Sequence, residues 1–183
     1  MGLILGRISV ETPKYEVVHT AADYEIRRYP AAVLAEVTYD PAQLGGRDAG
    51  FMILAKYIGA VGNPQNAGSC KIAMTAPVLT SAEQPAMTMQ FVLPSKFVRA
   101  EDAPRPADER VRIRDQEGDR KYGVVRFSGV ATDTEVAARA EKLRKSLERD
   151  GYVVVGDRYV LARYNPPWTL PPLRTNEVML PVA

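Results

Sequence analysis

A faint internal repeat constrains this chain more than any other feature. In the first half, Val33-Leu34-Ala35-Glu36-Val37 precedes a helical segment. Lys71-Ile72-Ala73-Met74-Thr75-Ala76-Pro77 and then Met89-Gln90-Phe91-Val92-Leu93-Pro94 follow it. In the second half, Val124-Val125-Arg126-Phe127 precedes a helical segment, followed by Val160-Leu161-Ala162-Arg163-Tyr164-Asn165-Pro166 and Glu177-Val178-Met179-Leu180-Pro181. Pro77 and Pro166 are 89 residues apart, and Pro94 and Pro181 are 87 apart. The chain therefore reads as two pseudo-symmetric β-α-β-β halves, about 10–95 and 108–183. Neither half alone covers both faces of its sheet. The expectation is one domain over 1–183, of the α+β class: a distorted antiparallel β-barrel or curved sheet with two flanking helices. The cleft between helix and sheet is then the natural ligand site.

The pattern predicts a helix over Thr134–Arg149, where Val136, Ala140, Leu143 and Leu147 form one apolar stripe among charges. Thr132 and Glu135 have capping-box spacing, and Gly151 supplies a left-handed stop. A second helix is predicted over Asp48–Ile58, with Phe51, Leu54, Ala55 and Ile58 on one side and Gly59 at its end. Its other side carries Arg47, Met52 and Lys56, an unusual mixture for a purely solvated surface. Strands are predicted at 14–20, 24–29, 32–39, 72–79, 87–93, 110–115, 122–130, 152–155, 159–164 and 177–180. The stretches 100–108 and 165–174 read as loops, the latter because Pro166, Pro167, Pro171 and Pro172 cannot donate to a ladder.

Composition removes several classes of function. With 183 residues, 46% hydrophobic and 25% charged, the chain is neither disordered nor collagenous. Its 24 basic residues nearly balance its 22 acidic ones, so a net charge of +2 gives no broad field for gripping a polyphosphate, and nucleic acid is not expected as a partner. The lone Cys70 excludes an intrachain disulfide, and the lone His19 cannot build a multi-histidine metal site. No apolar run approaches the roughly 20 residues of a membrane span. The opening Met1–Arg7 stretch is too short for a secretory signal, and Gly6 stands where an acylation motif at Gly2 wants Ser or Thr. A cytoplasmic protein is the expectation; protein partners are not legible.

Four segments then carry a resemblance: Val10-Glu11-Thr12-Pro13-Lys14-Tyr15-Glu16-Val17, Tyr24-Glu25-Ile26-Arg27-Arg28-Tyr29, Lys71-Ile72-Ala73-Met74-Thr75-Ala76-Pro77-Val78 and Asn176-Glu177-Val178. In this order and spacing they resemble the SOUL haem-binding protein family, from about residue 9 to 181. The resemblance implies a distorted β-barrel with two long helices, related to the effector-binding domains of bacterial drug-sensing regulators. It also implies non-covalent binding of haem or another tetrapyrrole, as carrier, buffer or sensor, without a well-established reaction.

A tetrapyrrole site needs an apolar slot for the ring and cations or hydroxyls at the rim for two propionates. Carry-over from the family lands on Phe51, Ala55 and Lys56 of the first helix and on Tyr164. Helical spacing adds Met52 and Arg47, and Arg174 is a rim cation near the proline-rich loop. Family members with an arginine one turn before Phe51 differ from this chain, which has Asp48 there and Arg47 beside it. An acidic group would repel a propionate, so the orientation of the ring stays open. Each residue also has a plainer reading: Phe51 and Ala55 as core, Lys56 and Arg47 as solvated charges, Tyr164 as the closure of a turn.

His19 is the only imidazole, the usual iron ligand, but it shares a strand face with Tyr15 and Val17 and reads better as an ordinary edge residue. Met74, Cys70 and Tyr164 are weaker ligand candidates, so no metal-ligating residue is assigned. An enzyme is the lesser alternative: Glu25, Glu36 and Glu177 could supply a buried general base, but no nucleophile elbow, phosphate loop or metal cluster accompanies them. Glu177 reads rather as accepting a structural hydrogen bond, or as pairing with an arginine across the sheet. A third alternative is an effector or protein-interaction module for another planar apolar ligand. A buried acid at the cleft floor, Glu177 or Glu36, would mark it.

Overall fold

The structure, a computed structural model, describes residues 7–183. The opening residues read above for signal and acylation motifs lie outside the described residues, apart from Arg7. Nine strands are present among the described residues: β1 (Glu16–Thr20), β2 (Glu25–Tyr29), β3 (Ala32–Tyr39), β4 (Val78–Glu83), β5 (Ala86–Val92), β6 (Arg112–Gln116), β7 (Arg120–Phe127), β8 (Val160–Arg163) and β9 (Asn176–Val182). The α-helices are α1 (Pro41–Leu44), α2 (Ala49–Ile58) and α3 (Asp133–Arg149). The class is α+β with antiparallel strands, as the pattern predicts.

These elements divide into two units. The mid-chain unit comprises Val10–Thr12 and Ala31–Glu117, and the split unit contains Pro13–Pro30 and Gly118–Ala183. Strands of the mid-chain unit lie in the order β4-β5-β3-β6, and those of the split unit in the order β1-β2-β7-β9-β8. The run β3-α2-β4-β5 therefore has the topology of β7-α3-β8-β9: in each, the first strand pairs with the last and the last with the third. This is the β-α-β-β repeat.

Alternation along β3 directs Val33, Ala35, Val37 and Tyr39 into the mid-chain core, where Leu54, Tyr57 and Ile58 of α2 meet Met89 and Phe91 of β5. In the split unit, Ile26, Phe127, Val178 and Leu180 face the predicted stripe of α3, and all four of its residues are buried. Each such Leu contributes about 1.5–3 kcal/mol relative to exposure. Helix α3 starts where predicted: the Thr132 hydroxyl accepts from the Glu135 N–H at 3.3 Å. The Glu135 carboxylate turns instead to Arg139, 2.9 Å away. Gly151 (φ +88°) and Gly59 (φ +81°) end α3 and α2 in the left-handed region that a Cβ disfavours.

Two predicted strands are corrected. The segment 72–79 is not one strand: β4 begins at Val78, directly after Pro77, which has no N–H for a ladder. Ile72 is buried in the core, and its N–H donates to the Ile58 carbonyl at 2.9 Å, so its apolar character reflects packing at the end of α2. The segment 152–155 makes only one bridge, Val154 with Val182. Helix α1 is additional. Asp40 caps it by accepting from the Ala42 N–H at 2.9 Å, and Pro41 occupies its first turn, where a missing donor costs nothing.

Candidate functional site

Helix α2 buries Leu54, Ala55 and Ile58 and turns Met52 and Lys56, one turn apart, to solvent. Met52 is 45% exposed. Phe51 is half-buried, with its ring centroid 5.5 Å from that of Phe91. Ala55 is completely enclosed, so it backs the helix and offers no surface of its own. Arg47 precedes the helix, half-buried, and its carbonyl accepts from the Tyr39 hydroxyl. Asp48 takes the N-cap position without a side-chain capping bond. Lys56 also lies in the last turn, where its charge opposes the carbonyl end of the helix dipole. Arg110, donating through Nε and Nη2, holds the Asp108 carboxyl below the usual carboxylate range, with Lys56 adding a smaller pull in the same direction.

A second assembly lies on the face of the split unit's sheet turned away from α3. Register places Arg126 opposite Glu177, with Arg27 one strand further out. Glu177 has no exposed surface, and Arg27 is 3% exposed. Glu177 Oε2 receives Arg27 Nη2 at 2.7 Å and Arg126 Nη2 at 3.3 Å, and Oε1 accepts from the Tyr164 hydroxyl at 2.6 Å. Arg27 also donates to Glu25 at 3.0 Å and to the Tyr29 hydroxyl at 3.2 Å, and its guanidinium lies 4.1 Å from the Tyr15 ring centroid. Burial, then the adjacent Glu177 charge and hydrogen bond, push the Tyr164 phenol far above its ordinary value. Burial works against the charge of Arg27, but the Glu177 carboxylate outweighs it and pushes the pKa up. The result is a carboxylate fully engaged by two guanidiniums and a protonated phenol. A cavity of about 380 Å³ opens on this unit, with Tyr15, Glu25, Arg27, Val124 and Arg126 in its lining.

The sequence-predicted residues are thus distributed between units. Arg47, Phe51, Met52, Ala55 and Lys56 lie on α2 or just before it, in the mid-chain unit. Tyr164 and Arg174 belong to the split unit. Arg174 donates Nε to the Thr169 carbonyl at 2.8 Å and Nη2 to the Pro167 carbonyl at 2.7 Å, which makes it the brace of the proline-rich loop. His19 is exposed on β1, an edge strand of the split unit's sheet, its ring centroid 6.2 Å from that of Tyr152. Among the described residues, no group of three or more His, Cys, Asp or Glu is arranged to hold a metal ion. The arginine expected across the sheet from Glu177 is present as Arg126. The second one, Arg27, was not anticipated, although its apolar neighbours Ile26 and Tyr29 mark β2 as an interior strand.

Of the three candidate bases, Glu25 accepts from Arg27, Glu36 is bound by Gln90 at 2.8 Å and Arg114 at 3.2 Å, and Glu177 is engaged on both oxygens.

Repeated β-α-β-β topology, antiparallel strands and interior acids each matched by donors define an α+β protein of the tandem-repeat kind. The chain belongs to the SOUL haem-binding protein family: the model described as SOUL heme-binding protein matches residues 10–181. It is similar to Heme-binding protein 1 of Mus musculus, 33% identical over 195 residues and covering 98% of each chain. Among solved structures it is similar to a hydrolase from Listeria innocua, at a TM-score of 0.58 and 14% identity over 91% of this chain and 94% of that one. The C-terminal domain of EcmrR is comparable, with a TM-score of 0.56, 14% identity, and coverage of 93% and 98%. At that identity the structural likeness concerns the fold alone. No helix among the described residues is long and apolar enough to cross a membrane.

Proposed function

We propose that this protein binds haem or a related tetrapyrrole, reversibly and without a covalent link, against the outward face of α2, and that it serves as a carrier or buffer of the ring rather than as an enzyme. Bound haem supplies a flat apolar ring, two propionates and an iron. The observation that carries the reading, beside the family itself, is the pairing on α2 of exposed Met52 with Lys56 one turn on. Met52 and the accessible edge of Phe51 suit the ring face, and the charges of Lys56 and Arg47 suit the propionates. Ala55 supports the helix from beneath. The α2 segment contains no imidazole, so this face would hold the ring through its apolar and charged contacts. Tyr164 and Arg174, engaged with Glu177 and with loop carbonyls, act as scaffold.

The engagement of all three candidate bases supports binding rather than catalysis. The same engagement weighs against a receptor for a planar cation, which would need an unmatched acid.

Haemin and metal-free protoporphyrin titrations, read by absorbance, test the proposal. Saturable one-to-one binding of both ligands is expected, unchanged in His19→Ala. Met52→Asp and Lys56→Glu should each weaken it by about tenfold, the scale of burying one Met side chain or losing one charge-assisted contact. Unchanged affinity in both folded variants would remove the site from α2. Binding that needs iron and is lost in His19→Ala would replace ring recognition with ligation.

A further inference from the structure

We propose that the cavity on the split unit is a binding site for a small zwitterion, an α-amino acid with an apolar or aromatic side chain. The cavity, about 380 Å³, is lined from this unit alone, by the segment carrying β1, β2 and their turn and by β7. Its volume lies within the range of small-molecule pockets. Register brings its two accessible charges together. Glu25 of β2 lies opposite Val124 of β7, and Arg126 stands two residues further along β7. The carboxylate and the guanidinium are therefore diagonal neighbours on one face of the sheet.

Each of the two has hydrogen-bonding capacity left over. Glu25 accepts from Arg27 Nε through Oε2, and its Oε1 has no partner among the described residues. Arg126 donates to Glu177 through Nε and Nη2, both at 3.3 Å, and its Nη1 has no partner among them either. Both side chains reach solvent, Glu25 37% and Arg126 57% exposed. The apolar part of the lining is Val17, Val124 and the Tyr15 ring. That ring is fixed by the Arg27 guanidinium, 4.1 Å from its centroid, and by the Tyr29 ring at 5.4 Å. Arg27 itself is floor rather than contact, because it is sealed and all three of its nitrogens are engaged.

Charge decides the class of ligand. Glu25, Glu177, Arg27 and Arg126 form one connected cluster of two acids and two bases. A bare anion or cation would unbalance that cluster beside its sealed members. A zwitterion adds no net charge, and it offers an ammonium to Glu25 Oε1 and a carboxylate to Arg126 Nη1. Asp23, the other acid of the lining, is occupied by α3, where its Oδ2 accepts from the Ser146 hydroxyl at 2.9 Å. A diagonal separation of about 7–8 Å accommodates the head group of an α-amino acid with a hydrogen bond at each end.

The test uses the full-length protein without haem and L-phenylalanine as the probe, followed by calorimetry and by amide shifts across residues 20–25. Saturable one-to-one binding is expected, with a Kd of about 1 mM or tighter. N-acetylphenylalanine, which lacks the ammonium, and phenylalaninamide, which lacks the carboxylate, should each bind about tenfold more weakly, the scale of one charge-assisted contact. Arg126→Gln should weaken phenylalanine about tenfold and erase its advantage over phenylalaninamide. Glu25→Gln should do the same relative to N-acetylphenylalanine. Arg27 and Glu177 stay paired in both variants, so circular dichroism should not change. The proposal is overturned by absence of saturable binding, by either derivative matching phenylalanine on the unsubstituted protein, or by discrimination that survives in the variants. A preference for the N-acetyl compound would mean an anion site, and a preference for the amide a cation site; either replaces it. Haem titration of the α2 variants reads out separately, so failure of one proposal leaves the other standing.

Discussion

The two units carry the same topology but charge their sheets differently. On the face turned away from the helix, the mid-chain unit pairs Glu36 of β3 with Gln90 of β5, and the split unit pairs Arg126 of β7 with Glu177 of β9. Gln90 and Glu177 are separated by the 87 residues that relate the last strand of each repeat. In both units an arginine from a further strand reaches the acid, Arg114 from β6 and Arg27 from β2. The surroundings are opposite. The Glu36 side chain is 15% exposed and its Arg114 is 52% exposed, whereas Glu177 and Arg27 are sealed. A repeat thus preserves where a polar pair sits, and burial decides how much the pair matters.

The largest effect should come from opening the sealed pair. Glu177→Ala leaves the buried Arg27 with only the partly exposed Glu25 as counter-charge, at a cost of about 3–5 kcal/mol, read from the midpoint of urea unfolding. A loss below 1 kcal/mol would erase the contrast between the units.

Alkaline pH tests the phenols. Burial, partly opposed by Arg27, pushes Tyr29 of the split unit up to about 12, and burial does the same for Tyr57 of the mid-chain unit, whose hydroxyl donates to the Pro104 carbonyl at 2.7 Å. A phenol with a folded pKa raised above its unfolded value of about 10 stabilises the fold fully below pH 10. That contribution is lost as pH rises from about 10 towards 12, because the unfolded chain releases the proton first. Stability should therefore fall over this window by about 2–3 kcal/mol for each of these two phenols. Tyr29→Phe should flatten that part of the loss in pH-resolved urea titrations. An unchanged slope would show that Tyr29 is not sealed as described.

The smallest change is expected from Glu36→Gln, less than about 1 kcal/mol, because Arg114 keeps much of its hydration. A thermal melt indistinguishable within a few degrees from the unsubstituted protein would agree. A drop comparable to that of Glu177→Ala would mean that exposure does not set the difference.

Periodicity reads well where one face is wet and the other dry. The α3 stripe of Val136, Ala140, Leu143 and Leu147 is buried residue for residue, and its cap at Thr132 is in place. β3 spans the predicted 32–39. Legibility fails where apolar character serves irregular chain, as at Ile72, and where a short helix rests on its cap rather than on a pattern, as at Asp40-Pro41. The α2 face was legible because Met52 and Lys56 break its apolar run at helical spacing. The engagement of Tyr164 with Glu177, and of Arg174 with loop carbonyls, was not, because local sequence gives no sign of which long-range or backbone acceptor a side chain will meet.

The division of the chain bears on the order in which its parts can close during synthesis. The pairings of β3 with β5 and β6, and of β4 with β5, join strands that all lie within Ala31–Glu117, so these ladders can form once β6 has left the ribosome. The β1–β2 hairpin emerges earlier but must wait for β7 to complete its ladder and for α3 to cover Ile26. Translation therefore keeps the oldest hairpin waiting through the synthesis of the whole mid-chain unit, and a slow step through Gly118–Phe127 would prolong its exposure to chaperones and proteases.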